Sequence, residues 1–209
     1  MAPQRLDLLH VAAQNRIQRT VGQQLANLLK VVPLEREAAV RAAFATASSR
    51  IITGGQWKSA EFALAYVATL APPVATVDLA AIEASLVTAE SPAASAGLAK
   101  LFEALDLGAG ELEARDEASL FASGIGEGEV QGTSRLALDE GVRASGREPR
   151  WRLEPNSGAC EWCLFVAGTG ARYLSAQTVP VPHARDNPRH PGGPCGCSPA
   201  LELFESEGQ

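Results

Sequence analysis

All four cysteines of the chain, and two of its three histidines, fall between residues 160 and 197. They run Cys160-Glu-Trp-Cys163, then His183, then His190-Pro-Gly-Gly-Pro-Cys195-Gly-Cys197. Two thiolates three residues apart span one edge of a coordination tetrahedron, and a second close pair supplies the opposite edge. Gly196 eases the tight turn that Cys195-Gly-Cys197 requires. Cys160, Cys163, Cys195 and Cys197 therefore form the simplest zinc-type donor set. His190, in a His-Pro turn near the second pair, is the better histidine to replace a thiolate or to support one, and His183 is its rival. Two disulfides or unligated thiols are the competing states of the same cysteines, and a reducing compartment favours metal over disulfides.

The neighbouring residues do not complete a known hydrolytic metal site. No His-Glu-x-x-His occurs, and no His-x-Glu precedes a Pro-Cys-x-x-Cys as in zinc deaminases. Glu161 reads as a solvated side chain rather than a general base. Cys160-Glu-Trp-Cys163 lacks the β-α-β surroundings of a redox dithiol. Spacing alone leaves a Cys163–His183 nucleophile open. The spaced glycines of Ser123-Gly-Ile-Gly-Glu-Gly-Glu follow no strand and carry carboxylates that would repel phosphate, so they read as a hinge or a helix start.

The elements that must position these residues are mostly helical. Leu6, Leu9, Ala13, Ile17, Val21, Leu25, Leu28 and Val32 recur at steps of three and four, one face of a long helix ending near Pro33. Arg5, Gln14, Arg16, Gln18, Arg19, Gln23 and Asn27 mark its wet, basic face. That helix offers an amphipathic face for partner helices, although packing within the monomer is the commoner use of such a face. A second helix is predicted from Leu34 to about Thr53, stopped by Gly54-Gly55, and a third from Ser59 to Leu70, broken by Pro72-Pro73. Further helices are predicted over Val77–Ala89, Pro92–Leu105, Glu111–Phe121 and Val130–Ala144. Alanine dominates and aromatics are few, so thin Ala/Leu interfaces are expected.

Composition changes after Gly146-Arg-Glu-Pro149. Trp151-Arg-Leu153 reads as a short strand, Glu154–Gly158 as a turn, Cys160–Ala167 as a short helix and Arg172–Leu174 as another strand. Six prolines and three glycines between Val179 and Pro199 leave little room for regular structure or a core. A segment so poor in apolar residues calls for a staple, and a metal can provide it.

The net charge of -6 is unevenly spread. Residues 1–60 hold eight basic and three acidic side chains, residues 61–150 six and fifteen, and residues 151–209 four and six. The basic start suits an acidic partner surface or nucleic acid, while the middle repels phosphate. The first residues lack the apolar run of a secretory signal, and the most apolar window, Phe62–Ile82, is interrupted by prolines and Asp78, so no membrane span is expected.

The ordered pattern Arg150-Trp-Arg, Gly158-Ala-Cys-Glu-Trp-Cys163, Gly170-Ala-Arg-Tyr173, His183, His190-Pro and Cys195-Gly-Cys197 resembles the C-terminal module of phage Mu F-like minor head proteins, in the version found in phages of actinobacteria. The resemblance covers about 50 residues. That family commonly shows His-Pro-x-Cys-x-Cys, whereas Gly192-Gly193-Pro194 intervene here, which keeps His183 in contention. The resemblance implies a virion protein of the phage head, assembled in the host cytoplasm, near the portal vertex. It also implies roles in head assembly and in DNA packaging or delivery, with portal or major capsid protein as partner.

The expectation is therefore a mainly α protein. Residues 1–146 form a helical portal- or capsid-docking region, and residues 147–209 a small, loop-rich α+β module stapled by the Cys/His zinc-type site. Trp151, Trp162 and Tyr173 would pack around that site. Stacking on bases beside Arg152, Arg172, Arg185 and Arg189 is their other use, so weak DNA contact stays open. A capsid maturation protease and a zinc-ribbon nucleic-acid binder are the alternatives to a structural head component. For the protease, Ser157 and Ser198 have no Asp/His pair placed in sequence to activate them.

Overall fold

The computed structural model describes residues 3–155, 161–169 and 197–201. Six helices and two strands follow in the order α1 (Pro3–Val31), α2 (Ala38–Leu70), α3 (Ala80–Ala84), α4 (Pro92–Asp106), α5 (Glu111–Ala144), β1 (Trp151–Pro155), α6 (Glu161–Gly168) and β2 (Cys197–Leu201) among the described residues. The protein is mainly α, as its composition implies. Two compact units divide the chain: Met1–Tyr66 with Asp78–Ala137, and Val67–Val77 with Leu138–Gln209.

In the first unit, α1 begins on Pro3, whose fixed φ suits a first helical turn, and stops just before Pro33. Its apolar stripe supplies Val21, Leu25 and Leu29 to a core shared with Phe44 and Ile52 of α2, Leu98 and Leu101 of α4, and Ala118, Ala122 and Val130 of α5. Arg115 of α5 closes the end of α1. Its guanidinium Nη1 donates to the carbonyls of Leu29 and Val32 at 2.6 and 3.1 Å, satisfying oxygens that no helical partner reaches.

Two sequence expectations fail here for one physical reason. Gly54-Gly55 does not end a helix, since α2 runs through both glycines and joins the two helices expected over Leu34–Thr53 and Ser59–Leu70. Ser123–Glu129 is not a hinge either, because it lies inside the 34-residue α5. The intrinsic cost of a mid-helix glycine, about 1 kcal/mol relative to alanine, is offset where its bareness lets another helix approach. A methyl group on Gly126 would overlap Leu25 Cδ1 of α1. One on Gly55 would overlap Val21 Cγ2 and stand 2.9 Å from Val130 Cγ2.

Burial also corrects the face assigned to Gln14. Rather than facing water, it is buried, donating from Nε2 to the Ser59 carbonyl at 3.0 Å and accepting the Ser59 hydroxyl proton. Gln56, fully buried, donates to Thr133 Oγ1 at 2.9 Å and to the Ser85 carbonyl at 3.1 Å, and accepts from Val87 N–H at 2.9 Å. These bonds tie α2 to α5 and to the segment after α3. The helix expected over Val77–Ala89 is only the five residues of α3, and the second helix starts at Ala38 rather than Leu34.

The second unit contains the last turn of α2 and the last two turns of α5. Val74 and Ala75 donate to the Ala144 carbonyl at 2.9 and 3.0 Å. Gly146, at φ +75°, turns the chain out of α5 in a conformation side-chain-bearing residues avoid. Val67, Ala71, Leu138, Val142 and Trp151 are buried. β1 pairs antiparallel with β2, from Trp151 opposite Leu201 to Pro155 opposite Cys197, and α6 packs on β1. The short strand expected at Trp151 is present, and the helix expected over Cys160–Ala167 appears as α6, Glu161–Gly168, with Cys160 outside the described residues. β1 extends through Pro155 into the stretch expected as a turn, and β2 has no counterpart in the sequence expectation. The strand expected over Arg172–Leu174 lies outside the described residues.

Candidate functional site

A groove opens in the first unit between the N-terminal half of α1 and the middle of α2. Its floor and walls are Leu9, Ala12, Ala13, Ile17 and Val21 from α1 and Ile51, Gly54, Gly55 and Phe62 from α2, enclosing about 780 Å³. The same three-and-four spacing that buries Val21, Leu25 and Leu29 brings Leu9, Ala13 and Ile17 onto one line. Here, however, the line stays open: Leu9 is 54% and Phe62 52% exposed. Gly54 leaves a gap in the wall, for a methyl group there would meet nothing within 4 Å.

The rim is cationic. Arg16, Arg50 and Lys58 line the groove, and an adjoining recess of about 560 Å³ shares Arg16 with it and adds Arg19. Among the described residues no carboxylate lines either cavity. Among the described residues none of these four side chains is in an ion pair, whereas other cations are paired, including Arg36 with Asp106 and Lys100 with Glu117 at 3.0 Å. The site combines contiguous apolar area with unneutralised positive charge, which can recognise an apolar surface flanked by carboxylates. The sequence pointed to the apolar stripe of α1 as a face for partner helices and to the basic start, but not to the wall that α2 adds with Ile51, Gly54 and Phe62.

Cys160, His183, His190 and Cys195 lie outside the described residues. Cys163 is in α6, and Cys197 is the first residue of β2. Both of those elements contact β1. Among the described residues no cluster of three or more His, Cys, Asp or Glu side chains forms a metal site.

Of the two uses expected of Trp151, packing and base stacking, its burial excludes the second. It is 1% exposed, and its Nε1–H donates to the buried Asp139 carboxylate at 2.5 Å. A ring so enclosed cannot stack on a nucleobase, so it serves as a core anchor of the second unit. Tyr173 and the side chains of Trp162, Arg152, Arg172, Arg185 and Arg189 lie outside the described residues. Among the described residues no helix is long and apolar enough to cross a membrane.

A family model described as VG15 protein matches residues 2–203. No curated protein and no solved structure matches the chain.

Proposed function

The chain belongs to the VG15 protein family, a phage-associated family, and from that premise we propose that it is a minor head protein of the Mu F-like kind. It sits near the portal vertex of a tailed phage and aids head assembly and DNA packaging or delivery. The family match over residues 2–203 supports a phage protein. The ordered Cys/His pattern of the C-terminal segment gives it the finer direction. Residues 1–146 dock on portal or major capsid protein, and the open groove on α1 and α2 supplies a surface for such docking.

In this proposal Cys160, Cys163, Cys195 and Cys197 hold one zinc ion, with His190 or His183 replacing or supporting a thiolate. The ion closes a loop-rich segment that lacks a large core, and its contribution is structural. Five-residue strands such as β1 and β2 make a ladder too short to stand alone, so a clamp at Cys197, beside Pro155, fixes its end.

Immunodetection in purified phage heads tests the location. The proposal expects the protein in heads at low copy, and its absence from both heads and procapsids overturns it. Metal analysis with thiol titration, on protein purified without chelator or reductant, tests the staple. About one zinc per chain, with thiols released by chelator, is expected. Metal-free protein whose thiols appear only after reduction overturns it in favour of disulfides. Cleavage of scaffold or capsid precursor by the purified protein would instead support the maturation protease.

A further inference from the structure

We propose that the groove between α1 and α2 is the seat of an amphipathic helix from another protein of the phage particle, with an apolar stripe facing the groove and carboxylates along its flanks. The inference rests on the head-protein reading for the identity of the assembly, and on the geometry of this site for the chemistry of the ligand. Four observations converge on it. Leu9 and Phe62 expose more than half their surface beside Ile17 and Ile51, a contiguous apolar strip rather than scattered side chains. Arg16, Arg19, Arg50 and Lys58 surround that strip with neither an ion-pair partner nor a lining carboxylate among the described residues.

The third observation is Gly54. It lies in the interior of a 33-residue helix, where glycine is costly, yet nothing packs against the place its side chain would take. Its neighbour Gly55 has a packing reason to be bare; Gly54, like Gly124, Gly128 and Gly132 of α5, has none, and of these four it is the one that lines the groove. Bareness at Gly54 instead deepens the groove. The fourth is length: Leu9 to Gln24 along α1 spans about 22 Å at about 1.5 Å per residue, room for about four turns of a partner helix.

The apolar floor decides between classes of partner. Phosphate backbones use cations but gain nothing from Leu9, Ile17 and Phe62, whereas a helix laid in a groove uses both. Carboxylates on the helix flank match the rim and set its orientation and its rate of encounter.

The test uses the full-length protein and two labelled helical peptides of about 20 residues. Both carry leucines at i, i+3 and i+7, one with glutamate flanks and the other with lysine flanks. The acidic peptide is expected to bind with Kd in the micromolar range, at least tenfold tighter than the lysine peptide, and to weaken as salt rises. Gly54→Leu, whose Cβ meets nothing within 4 Å and whose side chain occupies the gap, is expected to weaken binding at least tenfold while leaving the thermal melt no lower. Arg16→Glu with Lys58→Glu is expected to reverse the peptide preference.

Absence of acidic-peptide binding at about 1 mM overturns the proposal. So does equal affinity for both peptides, or wild-type affinity in Gly54→Leu. A dimer that Gly54→Leu dissociates would assign the groove to a second copy, and competition by single- or double-stranded DNA would assign it to nucleic acid; either result overturns the proposal. Failure here leaves detection in phage heads untouched, and absence from heads leaves peptide binding untouched, so the two readings fail separately.

Discussion

The two halves of α1 share one apolar stripe and meet opposite fates. From Val21 to Val32 the stripe is covered by α2, α4 and α5, with Leu25 and Leu29 almost fully removed from water. From Leu9 to Ile17 it lines an open groove. The adjacent glycines of α2 divide in the same way. Gly55 is pressed between Val21 and Val130, while Gly54 faces space. Periodicity thus identifies a surface that needs covering, but a second element must have the right shape to cover it. Where small residues allow close approach the stripe becomes core; where none arrives it stays open to solvent.

Substitutions along this helix pair test that division, and the largest effect belongs to the closed half. Leu29→Ala removes a side chain with no exposed surface and is expected to cost about 2–5 kcal/mol by chemical denaturation. Leu9→Ala in the open half is expected to stay within about 0.5 kcal/mol of wild type. Comparable losses at the two positions would mean that the groove is closed in solution.

Gly55→Ala should destabilise. Overpacking against two stiff β-branched side chains costs about 1–3 kcal/mol, and about 1 kcal/mol of helix propensity offsets only part of it. Gly54→Ala, one residue earlier, is expected to stabilise by about 0.4–1 kcal/mol, since the same propensity gain meets no clash. Thermal melts of the two variants should therefore move in opposite directions, and shifts of the same sign would remove the distinction between the positions.

The smallest effect is expected at the surface pair of Arg36 and Asp106. Arg36 holds the Asp106 carboxyl below its usual range, mainly by donating hydrogen bonds to it from its guanidinium. A lowered folded pKa contributes stability above the ordinary carboxylate value and loses it as pH falls through the lowered one. Both groups are exposed, so solvent screens the pair. Asp106→Asn is expected to leave the melting temperature at neutral pH unchanged, and a clear drop would show that the end of α4 depends on this contact.

The second unit shows a different limit of sequence reading. Trp151 was legible as the start of a strand, but its burial and its bond to Asp139 were not, because the two residues belong to different elements. β2 went unseen because Pro199 and two close cysteines mask any alternation. Its pairing with β1 is a long-range event that local propensity does not encode. Cys163 and Cys197 were picked out from spacing alone, and the backbone carries both into elements that contact β1.

By itself, the sequence determined that the protein is mainly helical, that α1 ends before Pro33, that α5 ends before Gly146 and that thiol chemistry is confined to residues 160–197. These features follow from local physics: proline geometry, helical periodicity, glycine turns and the spacing of soft donors. Only the tertiary structure decided that Gly54-Gly55 and Ser123–Glu129 lie within continuous helices, that Gln14 is buried, and that half of the α1 stripe stays open. Each of those outcomes depends on which surface a partner helix can reach, and helix propensity, worth about 1 kcal/mol or less per residue, yields to packing contacts worth several.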